Sequence, residues 1–134
     1  VQPEFPAFAA PQVTKALMQA CNELGYTYTL GVVCSISSYY IGQGRPIDGD
    51  ENSFWPPEAE TVVSRLQNSK VAAIDMETAG TLVMGYLHGL RMGAILGVTA
   101  NRVTNEWLDD GGQEKACRAA SRALKILKEQ DESR

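Results

Sequence analysis

Cysteine and histidine are scarce in this sequence, and neither sign of charge dominates it. Its three cysteines, Cys21, Cys34 and Cys117, are odd in number and show no Cys-x-x-Cys spacing. That argues against a disulfide framework or a zinc site and suits a reducing cytoplasm. His88 is the single histidine; without cysteine or carboxylate at ligand spacing it reads as a helix-end residue, and no metal site is expected. Twelve Lys and Arg against sixteen Asp and Glu leave a net charge of −4, so no basic field attracts nucleic acid or an anionic membrane. No apolar run nears the roughly 20 residues that cross a bilayer, and no basic-then-apolar stretch opens the chain as a signal peptide would. A soluble cytoplasmic protein is expected. The chain opens on Val1 rather than Met, which leaves room for a start further upstream.

What is present is ordinary globular composition: 134 residues, 44% hydrophobic and 21% charged, enough for one packed domain over 1–134 without disulfides or a structural metal. The prolines of the first twelve residues read as an extended arm. Thr14 is a candidate helix cap. Behind it Leu17, Ala20, Cys21 and Leu24 recur at helical spacing before Gly25, which predicts a helix over 15–24 with its apolar stripe against a sheet. The β-branched and apolar run within 26–35 predicts a strand covered on both faces. Residues 35–54 lose periodicity and read as a long functional loop.

Pro56 and Pro57 open a second predicted helix, whose Ala59, Val62, Val63 and Leu66 share one face. A short strand over 71–76, a helix from Glu77 to His88-Gly89, a buried strand over 92–100 and a helix over 113–129 striped by Ala116, Ala120, Ala123 and Leu127 follow. Strands alternating with helices imply an α/β fold with a mixed, mostly parallel central sheet flanked by helices.

Ligands of such sheets bind beyond the carboxyl ends of the strands. There the chain runs into Tyr39-Tyr40-Ile41-Gly42-Gln43-Gly44-Arg45. An amide that both donates and accepts, a guanidinium fork and aromatic rings suit a heterocycle such as uracil; glycine-stiffened, solvated loop residues are the plainer alternative. Asp75-Met76-Glu77 falls at a helix start, where a carboxylate either accepts two hydrogen bonds from a vicinal diol such as that of ribose or simply caps the helix. Asn101-Arg102 ends the following strand and either lines the site or makes a surface ion pair.

Taken together, Gly31-Val-Val-Cys-Ser-Ile-Ser-Ser-Tyr-Tyr-Ile-Gly-Gln-Gly-Arg45, Ile74-Asp-Met-Glu-Thr-Ala79 and Gly97-Val-Thr-Ala-Asn-Arg102, with Glu4-Phe5-Pro6-Ala7 at the opening, resemble the uridine phosphorylases of the nucleoside phosphorylase-I superfamily. The resemblance spans this chain but only the C-terminal half of a family subunit. It implies a phosphorylase/hydrolase-like three-layer sandwich, here the C-terminal half alone. It also implies that Gln43 and Arg45 bind the uracil edge, that Tyr39 stands over the nucleoside, and that Met76 and Glu77 contact ribose. Asp75 replaces a glutamate often found before the methionine and counts with the substrate-binding set. Thr99 and Ala100 line the base pocket, and Arg102 orients Arg45 or reaches the base through water. The aspartate that purine phosphorylases place after the equivalent strand is missing, so pyrimidine nucleosides are favoured.

The reaction implied is a pentosyl transfer in pyrimidine salvage, in which phosphate attacks the anomeric carbon of uridine to give ribose 1-phosphate and uracil. Gln43, Arg45 and Glu77 are its expected catalytic residues, because donors aimed at the uracil carbonyls and an acceptor on the sugar hydroxyls match the charge that develops. Phosphate is a co-substrate, and no other cofactor is expected. The phosphate site belongs to the family's N-terminal half, so the expected partners are that half of the same subunit and further copies in a dimer or hexamer. Alternatives are a noncatalytic nucleoside-binding subunit, or a related purine nucleoside phosphorylase or nucleosidase.

Overall fold

The computed structural model describes residues 5–47 and 54–133. The expectations that fall on Glu4, and on the part of the long loop at 48–53, lie outside the described residues. The chain forms two compact units, one from the residues up to Tyr28 together with those from Gly80 onward, the other Thr29–Ala79.

In the first unit, helix α1 (Pro11–Glu23) packs against helix α4 (Gln113–Glu132). Ala16, Ala20, Ala123, Ile126 and Leu127 form the buried seam, with Val13 and Leu17 at its margin. Alanines recurring at i and i+4 let two helices approach closely, and the long side chains of Ile126 and Leu127 fill what is left. Arg122 of α4 reaches Glu23 of α1 (Nε to Oε2, 2.6 Å). That contact holds the Glu23 carboxyl below its ordinary range. Cys21 is buried in α1, and burial pushes its thiol up.

Two details of α1 correct the sequence reading. The helix starts four residues early, with Pro11 at its first position, where a missing N–H costs nothing. Thr14 is therefore not the cap, and its hydroxyl donates back to the Ala10 carbonyl. The apolar stripe also meets a helix, α4, and not a sheet. Periodicity reports that a face is apolar and is silent about its partner. The stop is as expected: Gly25 takes φ +68°, a left-handed conformation natural to glycine.

The second unit holds strands β1 (Val32–Ser35) and β2 (Val71–Asp75), joined by helix α2 (Pro57–Asn68). They pair in parallel with Cys34 opposite Ile74 and Ser35 opposite Asp75, after a register irregularity at Val32/Val33. Parallel pairing through a helical crossover is the elementary α/β unit expected from the sequence. The strand is shorter than 26–35, however. Leu30 and Val32 remain exposed, because an apolar run demands cover that local sequence cannot itself provide.

Helix α3 (Thr78–Leu87) follows β2 and passes from the second unit into the first. The expected strand over 92–100 is reduced to β3 (Ala100–Asn101), which pairs antiparallel with β4 (Glu106–Trp107). Residues 92–99 are apolar enough for a buried strand, yet they are assigned no ladder among the described residues and range from half-buried to exposed. A strand exists only where a neighbour takes its hydrogen bonds, and that neighbour is a tertiary matter. The buried stripe of α4 runs through Ala119, Ala123, Ile126 and Leu127. It shares Ala123 and Leu127 with the expected stripe and leaves Ala116 and Ala120 half-buried at its edge.

Candidate functional site

Six of the nine residues singled out from the sequence lie in Thr29–Ala79: Tyr39, Gln43, Arg45, Asp75, Met76 and Glu77. The parallel strands bring them to one end. Because Ser35 and Asp75 are the last pair of the ladder, the chain leaving β1 and the chain leaving β2 depart from the same carboxyl edge, where α/β sheets hold ligands.

Leaving β1, the backbone folds into a 3-10 turn over Ile41–Gln43. The Tyr40 carbonyl accepts from the amides of Gln43 (3.2 Å) and Arg45 (2.8 Å), which closes the turn on itself. Gly44 then takes φ +59°, and a Cβ there would stand 2.9 Å from the Ala59 carbonyl oxygen of α2. Glycine is required twice over, for the backbone conformation and for the close approach.

This turn draws Gln43 inside and leaves Tyr39 and Tyr40 outside. Gln43 is the one buried polar side chain among the described residues, 7% exposed. Its Oε1 accepts from Arg45 Nε at 3.3 Å. The Arg45 guanidinium lies over the Tyr39 ring, 4.6 Å from its centre, and Tyr40 packs edge-on against Tyr39 with ring centres 5.3 Å apart. A cation held over an aromatic face and tied at Nε is restricted in direction, so the guanidinium and the Gln43 amide act as one oriented group.

Leaving β2, Asp75 turns both carboxylate oxygens onto the protein's own donors. Oδ1 accepts from the Ser35 hydroxyl at 2.5 Å; Oδ2 accepts from the Thr78 amide at 3.0 Å and from the Thr78 hydroxyl. The helix-capping alternative is the one that these bonds describe for Asp75. Met76 and Glu77, between Asp75 and α3, are exposed at a helix start that favours negative charge.

Thr99, Ala100 and Arg102 lie in the other unit. The Thr99 carbonyl accepts from the Leu108 amide at 2.9 Å, and Ala100 pairs with Trp107. Arg102 donates from a terminal guanidinium nitrogen to Asn105 Oδ1 at 2.8 Å. Among the described residues no cluster of three or more His, Cys, Asp or Glu is arranged to hold a metal ion, and no helix is long and apolar enough to cross a membrane.

Sequence reading passed over Ser35 and Thr78. Ser35 ends an apolar strand and Thr78 follows an acidic residue; the available signal was the hydroxyl at each position, but the pairing of Ser35 with a carboxylate forty residues on depends on strand register.

The parallel β-α-β unit thus carries an oriented amide, a guanidinium, an aromatic ring and a carboxylate on the chain leaving its carboxyl edge, the edge at which α/β sheets hold ligands. Comparison with known proteins gives the family. The model of the phosphorylase superfamily matches residues 1–129, and the chain belongs to that superfamily. It is 40% identical over 134 residues, its whole length, to a uridine phosphorylase of Thermococcus kodakarensis, covering 47% of that protein. It is 34% identical over 110 residues to a uridine phosphorylase of Klebsiella aerogenes, using 77% of this chain and 40% of the relative. The chain thus spans about half the length of the curated relatives it matches. Among solved structures, an AMP nucleosidase from Bacteroides thetaiotaomicron superposes with a TM-score of 0.66 at 20% identity, over 98% of this chain and 46% of the other. The P. knowlesi homologue of P. falciparum PNP superposes with a TM-score of 0.69 at 21% identity, over 96% and 48%. These two neighbours establish the shared fold.

Proposed function

We propose that this chain is the C-terminal half of a uridine phosphorylase subunit, carrying the uracil and ribose sites of a reversible phosphorolysis. The observation that carries the reading is the buried Gln43 bonded to Arg45, whose guanidinium is stacked on Tyr39. Uracil presents carbonyl, N–H and carbonyl along one edge, and an amide beside a guanidinium supplies matching donors and an acceptor. As the glycosidic bond breaks, its electron pair moves onto the base. Donors fixed beforehand at the carbonyls stabilise that charge without reorganising.

On the sugar side, Glu77 accepts from the 2′ and 3′ hydroxyls, Met76 packs against the ring, and phosphate oxygen bonds to the anomeric carbon as uracil departs. The products are ribose 1-phosphate and uracil, which takes up a proton. Asp75 serves this site by holding the backbone beneath Met76 and Glu77. Phosphate is the co-substrate, and neither metal nor other cofactor takes part. The N-terminal half of the subunit supplies the phosphate site, so this chain alone is inactive; the complete enzyme is a cytoplasmic homo-oligomer of pyrimidine salvage. The name borne by both relatives and the absence of an aspartate at Asn101-Arg102 support uridine over a purine nucleoside.

The test is an assay of the complete subunit with uridine, inosine and adenosine, with and without phosphate. Uracil release that needs phosphate supports the reading. Preferential cleavage of a purine nucleoside, or cleavage indifferent to phosphate, overturns it.

A further inference from the structure

We infer that Ser35 is a positioning residue, whose hydroxyl locks the helix start beneath Met76 and Glu77 and so sets where Glu77 meets the sugar. The inference rests on the proposed ribose role of Glu77. A serine hydroxyl has one proton and accepting lone pairs, and here both capacities are used. The proton goes to Asp75 Oδ1 at 2.5 Å; the oxygen accepts from the Ala79 amide at 2.9 Å. Asp75 Oδ2 meanwhile takes the Thr78 amide and hydroxyl.

Two consecutive amides of the first turn of α3, which lack partners within the helix, are thus satisfied by the last residues of two neighbouring strands. Below them the Ile36 amide donates to the Asp75 carbonyl at 2.9 Å, so Asp75 is held at its backbone as well as at its side chain. The only residues between the anchored Asp75 and the anchored Thr78-Ala79 pair are Met76 and Glu77, and both are exposed. A two-residue span pinned at each end has little freedom, and its outward side chains inherit that restriction. Ser35 is the member contributed by β1, the strand that leads to Gln43 and Arg45, so it references the sugar-binding carboxylate to the strand that carries the base-binding pair.

The experiment compares wild type, Ser35→Ala, Ser35→Thr and Thr78→Val in the complete subunit. Ser35→Ala is expected to lower kcat/KM for uridine about tenfold. The loss should be severalfold smaller for 2′-deoxyuridine, which lacks one of the hydroxyls that Glu77 would hold. Inhibition by uracil, which reads the Gln43-Arg45 side, should stay unchanged. Ser35→Thr keeps the hydroxyl and should restore the uridine rate. Thr78→Val should reproduce the pattern at smaller size, and it also serves where Ser35→Ala folds poorly. Equal losses on both nucleosides, or no loss, overturn the inference.

A readout without turnover separates this inference from the reading on which it rests. Hydrogen exchange of the Thr78 and Ala79 amides should quicken about tenfold in Ser35→Ala relative to the amides of β2, and unchanged exchange there overturns the positioning role. A wild-type subunit that does not cleave uridine overturns the uridine reading while exchange still decides the role of Ser35.

Discussion

In the unit made of α1, α4 and most of α3, the residues most withdrawn from solvent are apolar: Ala16, Ala20, Cys21, Leu82, Ala119, Ala123, Ile126 and Leu127. In Thr29–Ala79 the described residues buried to that degree are Ala59 and a glutamine, Gln43. The helical unit rests on a close-packed seam, where what counts is volume. The strand unit rests on direction: a parallel ladder, a left-handed glycine, and a chain of hydrogen bonds through Ser35, Asp75 and Thr78. A seam asks of its residues that they be apolar and fill the volume, whereas a site must place polar groups and accept the cost of burying one. Hence the unit with less core carries six of the nine candidate site residues.

Substitutions matched across the two units sharpen or break this contrast. Ile126→Ala leaves a hole between α1 and α4 and is expected to destabilise the complete subunit by about 2–4 kcal/mol in urea unfolding, with kcat/KM nearly unchanged where the protein stays folded. Its counterpart, Gln43→Ala in the complete subunit, is expected on the proposed uridine reading to lower kcat/KM for uridine on the order of a hundredfold or more and to shift the unfolding midpoint less than Ile126→Ala does. If the two variants exchange their effects, the division of labour is wrong.

Gly44→Ala tests whether the site turn depends on its backbone. The new Cβ would meet the Ala59 carbonyl oxygen at 2.9 Å with φ at +59°, for an expected loss of about 1–2 kcal/mol and a weaker grip on uracil from the displaced Gln43-Arg45 pair. An alanine that leaves both stability and uracil affinity intact would remove the argument for that turn.

The smallest effect belongs to the surface of the helical unit. Arg122 holds the Glu23 carboxyl below its ordinary range. The pair's contribution is therefore full above the carboxylate's unfolded value and fades as pH falls through the lowered folded one. Thermal unfolding of wild type and Glu23→Gln from neutral pH downward should show a small difference that closes in acid. A difference that grows on acidification contradicts the sign.

The four α-helices among the described residues were legible because helical order is written locally. Pro57 opens α2, glycines of positive φ follow α1 and α3, and apolar residues recur at helical spacing. Even so, α1 begins earlier than Thr14 suggested, since Pro11 already satisfies the first turn. The strands were legible only as apolar runs. Residues 71–75 found a parallel neighbour and became β2, whereas 92–99 are also largely apolar and have no such ladder among the described residues. The chemical kinds in the candidate site were also readable, from Gln43, Arg45 and Glu77 beside turn glycines. Their supports were not, because Ser35 meets Asp75 through register, and Arg45 meets the Tyr39 ring through the shape of a 3-10 turn.

The sequence by itself determined the helices, the alternation that makes an α/β protein and the types of group offered to a ligand, since each depends on residues within a few positions of one another. Only the tertiary structure decided that α1 rests on α4, that the 92–99 run would not form a paired strand here, and that a serine on one strand would hold the carboxylate of the next. Those outcomes join residues forty to a hundred positions apart. Their energies depend on which surfaces finally meet, and no local pattern records that.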